Sequence, residues 1–223
     1  LEFYQNKIFV ITANGEFYSL LFSDLNSKEK KINNIKINTT KLYEEIRDAL
    51  VIDDYLYISK LSENEKCENL EIHYSKITKE NVLDFKIFKK FDECVTIGLG
   101  AGRIQKYQHK NREGIIISTM DGDYDIPGEK AQDDNSIFGK IVFVDSKTKN
   151  HKIISKGHRN VQGLFVKEDI ILSSEHGPKG GDEINKILEN KNYGWPIASY
   201  GVSYRNKFQY LKSHKKNGFE ELL

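Results

Sequence analysis

Short apolar or alternating runs, broken by Gly, Asn and Asp, make up most of this chain, and that pattern predicts strands rather than helices. Lys7 to Thr12 reads KIFVIT, Asn14-Gly15 follows, and Glu16 to Phe22 resumes the apolar pattern, which predicts a hairpin. Tyr55 to Lys60 is expected to pair with Leu70 to Ile77, and Gly114 to Thr119 precedes a like run at Lys140 to Asp145. Leu164 to Lys167 and Ile170 to Ser174 lead into Glu183 to Leu188 in the same manner. One segment carries helical spacing: Lys41 to Ala49, with Leu42, Ile46 and Leu50 set for one face. The strand groups recur at roughly 50-residue intervals, each a meander, as propeller blades do. The predicted fold class is all-β, in a single domain over residues 1–223. The stretch from Met120 to Asn135 has no periodicity and is rich in Asp and Gly, and a long loop inside a compact domain is often functional.

Charge narrows the range of partners. Lys plus Arg number 34 against 33 Asp plus Glu, a balance that argues against nucleic acid or an anionic bilayer as a partner. No apolar run is long enough to span a membrane. The chain begins at Leu1 and no closing strand pattern precedes Leu223, so a fragment or a trimmed chain is expected. Cys67 and Cys94 lack metal-ligand spacing. Two free, half-buried thiols is the favoured reading, with one disulfide as the alternative.

Candidate chemistry concentrates between Gly157 and Pro196. Gly157-His158-Arg159-Asn160-Val161-Gln162-Gly163-Leu164 offers a guanidinium fork suited to carboxylates, with two amides beside it. Glu175-His176-Gly177-Pro178-Lys179-Gly180-Gly181-Asp182-Glu183-Ile184-Asn185 sets three glycines and a proline among carboxylates. Glycine lets carbonyls turn toward an ion, and carbonyls with carboxylates are what calcium prefers. A plain polar loop is the alternative. Asn192-Tyr193-Gly194-Trp195-Pro196 carries the single Trp of the chain, and such a residue is expected to pack a blade corner.

In order and spacing these three segments resemble the glucose/sorbosone dehydrogenase family, and within it the aldose sugar dehydrogenases. The likeness is looser over Gly100 to Asp145, including Gly102-Arg103-Ile104, and before about residue 90 only propeller-like patterning remains. The resemblance implies a six-bladed β-propeller that uses pyrroloquinoline quinone (PQQ), with about four blades in this chain. It implies that Arg159 and Asn160, with Gln162 beside them, contact the quinone. Gly177 and Pro178 would give carbonyls to a calcium that polarises it. Glu183, by its side chain, and Tyr193, by its carbonyl, would hold a second calcium. The implied substrate is a sugar or alcohol, oxidised by hydride transfer to the quinone, and the implied compartment is the periplasm or the exterior.

One position departs from the family. Its catalytic histidine lies three residues before the Gly-Arg-Leu triplet, and here that position is Leu99. Leucine cannot accept a proton, and general-base help is typically worth on the order of 10²–10⁴-fold. His158 and His176 fall inside the motifs and are expected to be structural. A non-catalytic calcium-binding propeller that acts as a ligand-binding or interaction module is therefore the alternative function.

Overall fold

The computed structural model describes residues 1–28, 31–38, 45–63, 67–80, 82–95, 100–121, 129–204, 209–220 and 223. In chain order its strands are β1 (Glu2–Tyr4), β2 (Lys7–Ile11), β3 (Phe17–Leu21), β4 (Asn33–Asn34), β5 (Lys36–Ile37) and β6 (Ile46–Ile52). They continue as β7 (Tyr55–Glu63), β8 (Glu68–Lys76), β9 (Val82–Leu83), β10 (Lys86–Val95), β11 (Ile104–His109) and β12 (Arg112–Ser118). The last six are β13 (Lys140–Asp145), β14 (His151–Lys156), β15 (Val161–Lys167), β16 (Ile170–Glu175), β17 (Glu183–Lys186) and β18 (Lys191–Asn192).

Two compact units divide the chain. The first takes Leu1–Glu63 and Asn69–Phe91, the second Asn64–Glu68 and Asp92–Leu223. In the first, β1-β2-β3-β4 form an antiparallel sheet whose β2–β3 register joins Lys7 to Leu21 and Ile11 to Phe17, the expected hairpin. A second sheet has the order β10-β8-β7-β6, so the runs at Tyr55 and Leu70 are neighbours as expected. Phe9, Phe17, Ile46, Leu56, Ile58 and Leu83 pack as one apolar core.

The helical spacing at Lys41 to Ala49 does not produce a helix in its described part. Residues 41–44 lie outside the described residues, and Ile46 to Ala49 belong to β6, paired with β7. Ile46 enters the core beside Leu56 and Ile58, and that cross-strand packing outweighs a helical spacing supported by three residues.

The expectation of free thiols is also overturned: Cys67 and Cys94 form a disulfide. Cys67 immediately precedes β8 and Cys94 lies in β10. Those strands are neighbours, so the two Cα atoms stand 5.7 Å apart, within bridging range. Linear spacing carried no trace of this, because 27 residues separate the pair.

The second unit holds the sheets β11-β12-β13-β14-β18 and β15-β16-β17. Every residue of β13 is buried, and Ile115, Ile116 and Ile117 of β12 lie inside with it. Gly114 is required where β12 passes β13, since a Cβ there would meet the Val144 carbonyl at 2.1 Å. The two sheets meet along β11 and β15: Arg103 Nε donates to the Gln162 carbonyl at 2.7 Å, and Ser118 Oγ to the Val161 carbonyl at 3.3 Å. Within the stretch expected to be an unpatterned loop, Glu129–Gln132 form one helical turn. Fully buried Lys140 holds it, donating to the carbonyls of Lys130 (2.6 Å), Ala131 (3.1 Å) and Phe138 (2.8 Å). Burial pulls the Lys140 ammonium down to about 8. Asp123, Asp125 and Gly128 lie outside the described residues.

The disulfide closes a 27-residue separation. Replacing either cysteine by serine is expected to cost about 2–4 kcal/mol, measured by denaturant unfolding of the Cys94→Ser protein beside the unreduced parent.

Candidate functional site

The site is built from the chain just before β15, the loop between β16 and β17, and the turn after β18. Its centre is Glu175, the last residue of β16 and 5% exposed. Three donors converge on its carboxylate. His158 Nδ1 meets Oε1, Asn185 Nδ2 donates to Oε1 at 3.2 Å, and the Arg159 backbone N–H donates to Oε2 at 3.0 Å. With Nδ1 facing a carboxylate, the proton belongs on that nitrogen, and the Ser155 hydroxyl, 2.8 Å away, serves Nε2. The His158 ring stacks on Tyr193 with centroids 4.7 Å apart. One carboxylate thus ties together residues of the first two motifs, and its histidine rests on the third.

Arg159 is held at both ends of its backbone and along its side chain. Its carbonyl accepts from Asp121 N–H at 2.9 Å. Its Nη1 donates to the His176 carbonyl at 2.7 Å, and its guanidinium carbon lies 5.3 Å from the Trp195 ring centroid. Trp195 is buried, and its indole N–H donates to Asp121 Oδ2 at 2.6 Å. Tyr210 packs on the same indole, its ring centroid 5.3 Å from that of Trp195, and burial raises its phenol. Asn160 accepts from His176 N–H through its carbonyl at 2.8 Å, and its side-chain oxygen accepts from Gln162 Nε2 at 2.6 Å. Gly100 lies against both amides: a Cβ there would sit 2.6 Å from Asn160 Oδ1.

The glycine loop is tightly closed. Gly177 N–H donates to Asp182 Oδ1 at 3.0 Å, and Gly181 N–H to the Pro178 carbonyl at 2.8 Å. A Cβ on Gly177 would stand 1.7 Å from the Gly181 oxygen, so no other residue fits there without moving the loop. His176, expected to be structural, projects an exposed side chain with Nδ1 3.4 Å from Asp182 Oδ1. Glu183 opens β17 and is largely buried, with Asn185 Nδ2 3.5 Å from its Oε2 and His214 Nε2 4.0 Å from its Oε1. Burial, and then the negative charge of Glu175, push Glu183 up to about 8. The buried His214 ring in turn lies against Gly194, next to Tyr193. Burial raises the Tyr193 phenol to about 12. Among the described residues, no three His, Cys, Asp or Glu side chains gather as a metal-ligand group.

Seven residues were singled out by sequence, and the structure joins them in two connected sets. Arg159, Asn160 and Gln162 form one set with the segment leading to Gly177 and Pro178. Glu183 joins the Tyr193 segment through Asn185, Glu175 and His158 on one path and His214 on another. Leu99 lies outside the described residues. His109 ends β11, at the opposite end of that strand from Arg103, where its Nε2 meets Glu189 Oε1 at 3.2 Å. Sequence reasoning missed Asp121 and Tyr210, and gave Trp195 a packing role alone. The acidic cluster after Met120 was a signal for the first, and nothing in the sequence marked the second.

A family model described as Glucose / Sorbosone dehydrogenase matches residues 55–222. The aldose sugar dehydrogenase YliI of Escherichia coli (strain K12) is 37% identical over 89 residues, covering 33% of this chain and 24% of that protein. Quinoprotein glucose dehydrogenase B of Acinetobacter calcoaceticus is 48% identical over 60 residues, 24% of this chain and 13% of that protein. Among solved structures, a glucose dehydrogenase superposes with a TM-score of 0.73 at 21% identity, covering 97% of this chain and 70% of that one. The soluble aldose sugar dehydrogenase of Escherichia coli, in its apo form, gives 0.69 at 20% identity over 88% of this chain and 61% of that one. The fold is therefore a β-propeller, of which this chain carries about four blades. The sequence matches span between 13% and 28% of the length of the curated relatives.

The raised Glu183 fixes the sign of a pH effect. Its usual value is 4.5 and its folded value about 8, so between these the folded chain holds a proton that the unfolded chain has lost. Its stabilising contribution is complete below 4.5 and disappears as the pH rises through about 8. In chelator, the melting temperature is expected to fall across that window. Glu183→Gln should flatten the fall, as measured by thermal unfolding at a series of pH values.

Proposed function

Because the chain belongs to the glucose/sorbosone dehydrogenase family, we propose that it forms the cofactor-holding part of a PQQ-dependent aldose dehydrogenase-like protein that oxidises a sugar hydroxyl. The observation that carries this reading is the position of Arg159. It is bonded to the His176 carbonyl, one residue before Gly177-Pro178, and lies over Trp195. A guanidinium fixed in this way beside a glycine-proline turn suits an anionic ring system.

The donor atoms suit a hard cation as well. Glu183 is a buried carboxyl beside a second one, and Asn185 Oδ1 is buried with no hydrogen-bond partner among the described residues. A cation would neutralise the first and coordinate the second. The Pro178 carbonyl keeps one lone pair beyond its bond from Gly181. Calcium at Gly177 and Pro178 would draw charge from a bound quinone as hydride arrives. The chain's own residues would bind and orient: Arg159, Asn160 and Gln162 would meet the quinone, while Glu175 and Asp121 hold the Arg159 backbone on either side. Export to the periplasm or the exterior accords with the Cys67–Cys94 disulfide, since such bonds persist in oxidising compartments.

A second reading rests on Leu99. With leucine where the family places its base, the same cradle would serve a non-catalytic calcium-binding propeller.

Calorimetric titration of PQQ into the calcium-loaded protein tests the first reading, and thermal unfolding with and without calcium tests the second. Saturable binding is expected, weakened at least about tenfold by Arg159→Ala; no binding to the parent chain would end the dehydrogenase reading, and calcium that fails to raise the melting temperature, with Glu183→Gln changing nothing, would end the second. Dye reduction by aldoses in the loaded, full-length protein then separates them. Turnover supports the dehydrogenase. A Leu99→His variant that alone turns over supports the non-catalytic parent.

A further inference from the structure

We propose that Asp121 is a positioning residue for Arg159 and acts through Trp195, an inference that rests on Arg159 meeting the quinone. Asp121 touches Arg159 by two routes. Its backbone N–H donates to the Arg159 carbonyl at 2.9 Å, and its carboxyl accepts the indole N–H of Trp195 at 2.6 Å. The face of that indole lies 5.3 Å from the Arg159 guanidinium carbon, within the range over which a cation is drawn to an aromatic ring.

The ring has little freedom. Gln132 Nε2 donates to the Trp195 carbonyl at 2.6 Å, and the Trp195 N–H donates to the Gly157 carbonyl at 2.9 Å. These bonds fix the backbone, whereas the bond to Asp121 fixes rotation of the ring. Accepting the indole proton also leaves more electron density in the ring, which strengthens its hold on a cation. The guanidinium is thus held from below by the indole and at one edge by the His176 carbonyl. Its remaining N–H groups are left to point at an anion in one fixed direction. An exposed arginine would have to lose several rotatable bonds on binding, and here that cost has already been met by folding.

Asp121 stands at the head of the Asp-rich stretch that sequence alone marks as a loop. Its role is visible only once Trp195, 74 residues away, is seen to bond to it.

Trp195 is the only tryptophan in the chain, so its fluorescence reports this one site. The experiment uses the whole calcium-loaded chain with PQQ as the probe, in the parent, Asp121→Ala, Asp121→Asn and Arg159→Ala proteins. Affinity is read by calorimetry, and acrylamide quenching of Trp195 is read without quinone. Asp121→Ala is expected to raise quenching and weaken PQQ binding about three- to thirty-fold, the range set by a cation–ring contact together with a lost hydrogen bond. Asp121→Asn keeps an acceptor for the indole and is expected to restore most of both. Parent-like affinity and quenching in Asp121→Ala would overturn the inference, as would an Asn variant no better than Ala. If Asp121→Ala does not fold, Trp195→Phe, which lacks the N–H, should show the loss of affinity, and unchanged affinity there would overturn it equally. An Arg159→Ala protein that binds PQQ as the parent does would remove the reading beneath it, a result distinct from failure at Asp121 alone.

Discussion

The geometry of the site depends on a buried carboxylate that cannot be left unpaired. Glu175 ends β16 out of reach of water, where an unpartnered negative charge would be prohibitively costly. Its partners are His158, the Arg159 backbone and Asn185. They come from two stretches of chain whose relative placement the carboxylate thereby dictates. Any shift of the Arg159 segment would cost Glu175 a donor, so the fold and the placement of the guanidinium share one requirement. The same negative charge acts outward: after burial, it is the next cause that raises the Glu183 carboxyl to about 8.

The strand order was legible because each sheet keeps local contacts. The hairpin at Asn14-Gly15 and the runs at Gly114, Lys140, Ile170 and Glu183 all became strands in neighbouring positions. Where the reading failed, the deciding partner lay far along the chain. Ile46 has helical spacing in its own neighbourhood, yet its burial partners Leu56 and Ile58 are on the next strand. Cys67 and Cys94 meet only because β8 and β10 are neighbours.

The candidate site divides along the same line. Arg159, Asn160, Gln162, Gly177, Pro178, Glu183 and Tyr193 could be named from three compact segments, because the chemistry there is written in residue type and local order. Glycine at position 177 is legible for a physical reason: a side chain would occupy the place of the Gly181 carbonyl. Asp121 and Tyr210 were not nameable. Each acts on Trp195; the acidic cluster after Met120 marks the neighbourhood of the first without singling it out, and Tyr210 has no local feature that distinguishes it from a surface residue. Sequence thus gives the groups that would meet a ligand and withholds those that aim them.

Binding and turnover make different demands on such a site. Binding needs donors fixed in direction, and Arg159 has them: its N–H, its carbonyl and its Nη1 are each committed to a partner, and its flat face is committed to an indole. Rigidity of this kind lowers the entropy lost when an anion arrives, so affinity follows from the fold itself. Turnover needs in addition a group that takes a proton, and position 99 supplies a leucine. The described bonds of the network around Glu175 come from His158, Arg159 and Asn185. A chain can therefore keep every bond of the cradle while the base changes, which is why the same motifs are compatible with a dehydrogenase and with a binding protein.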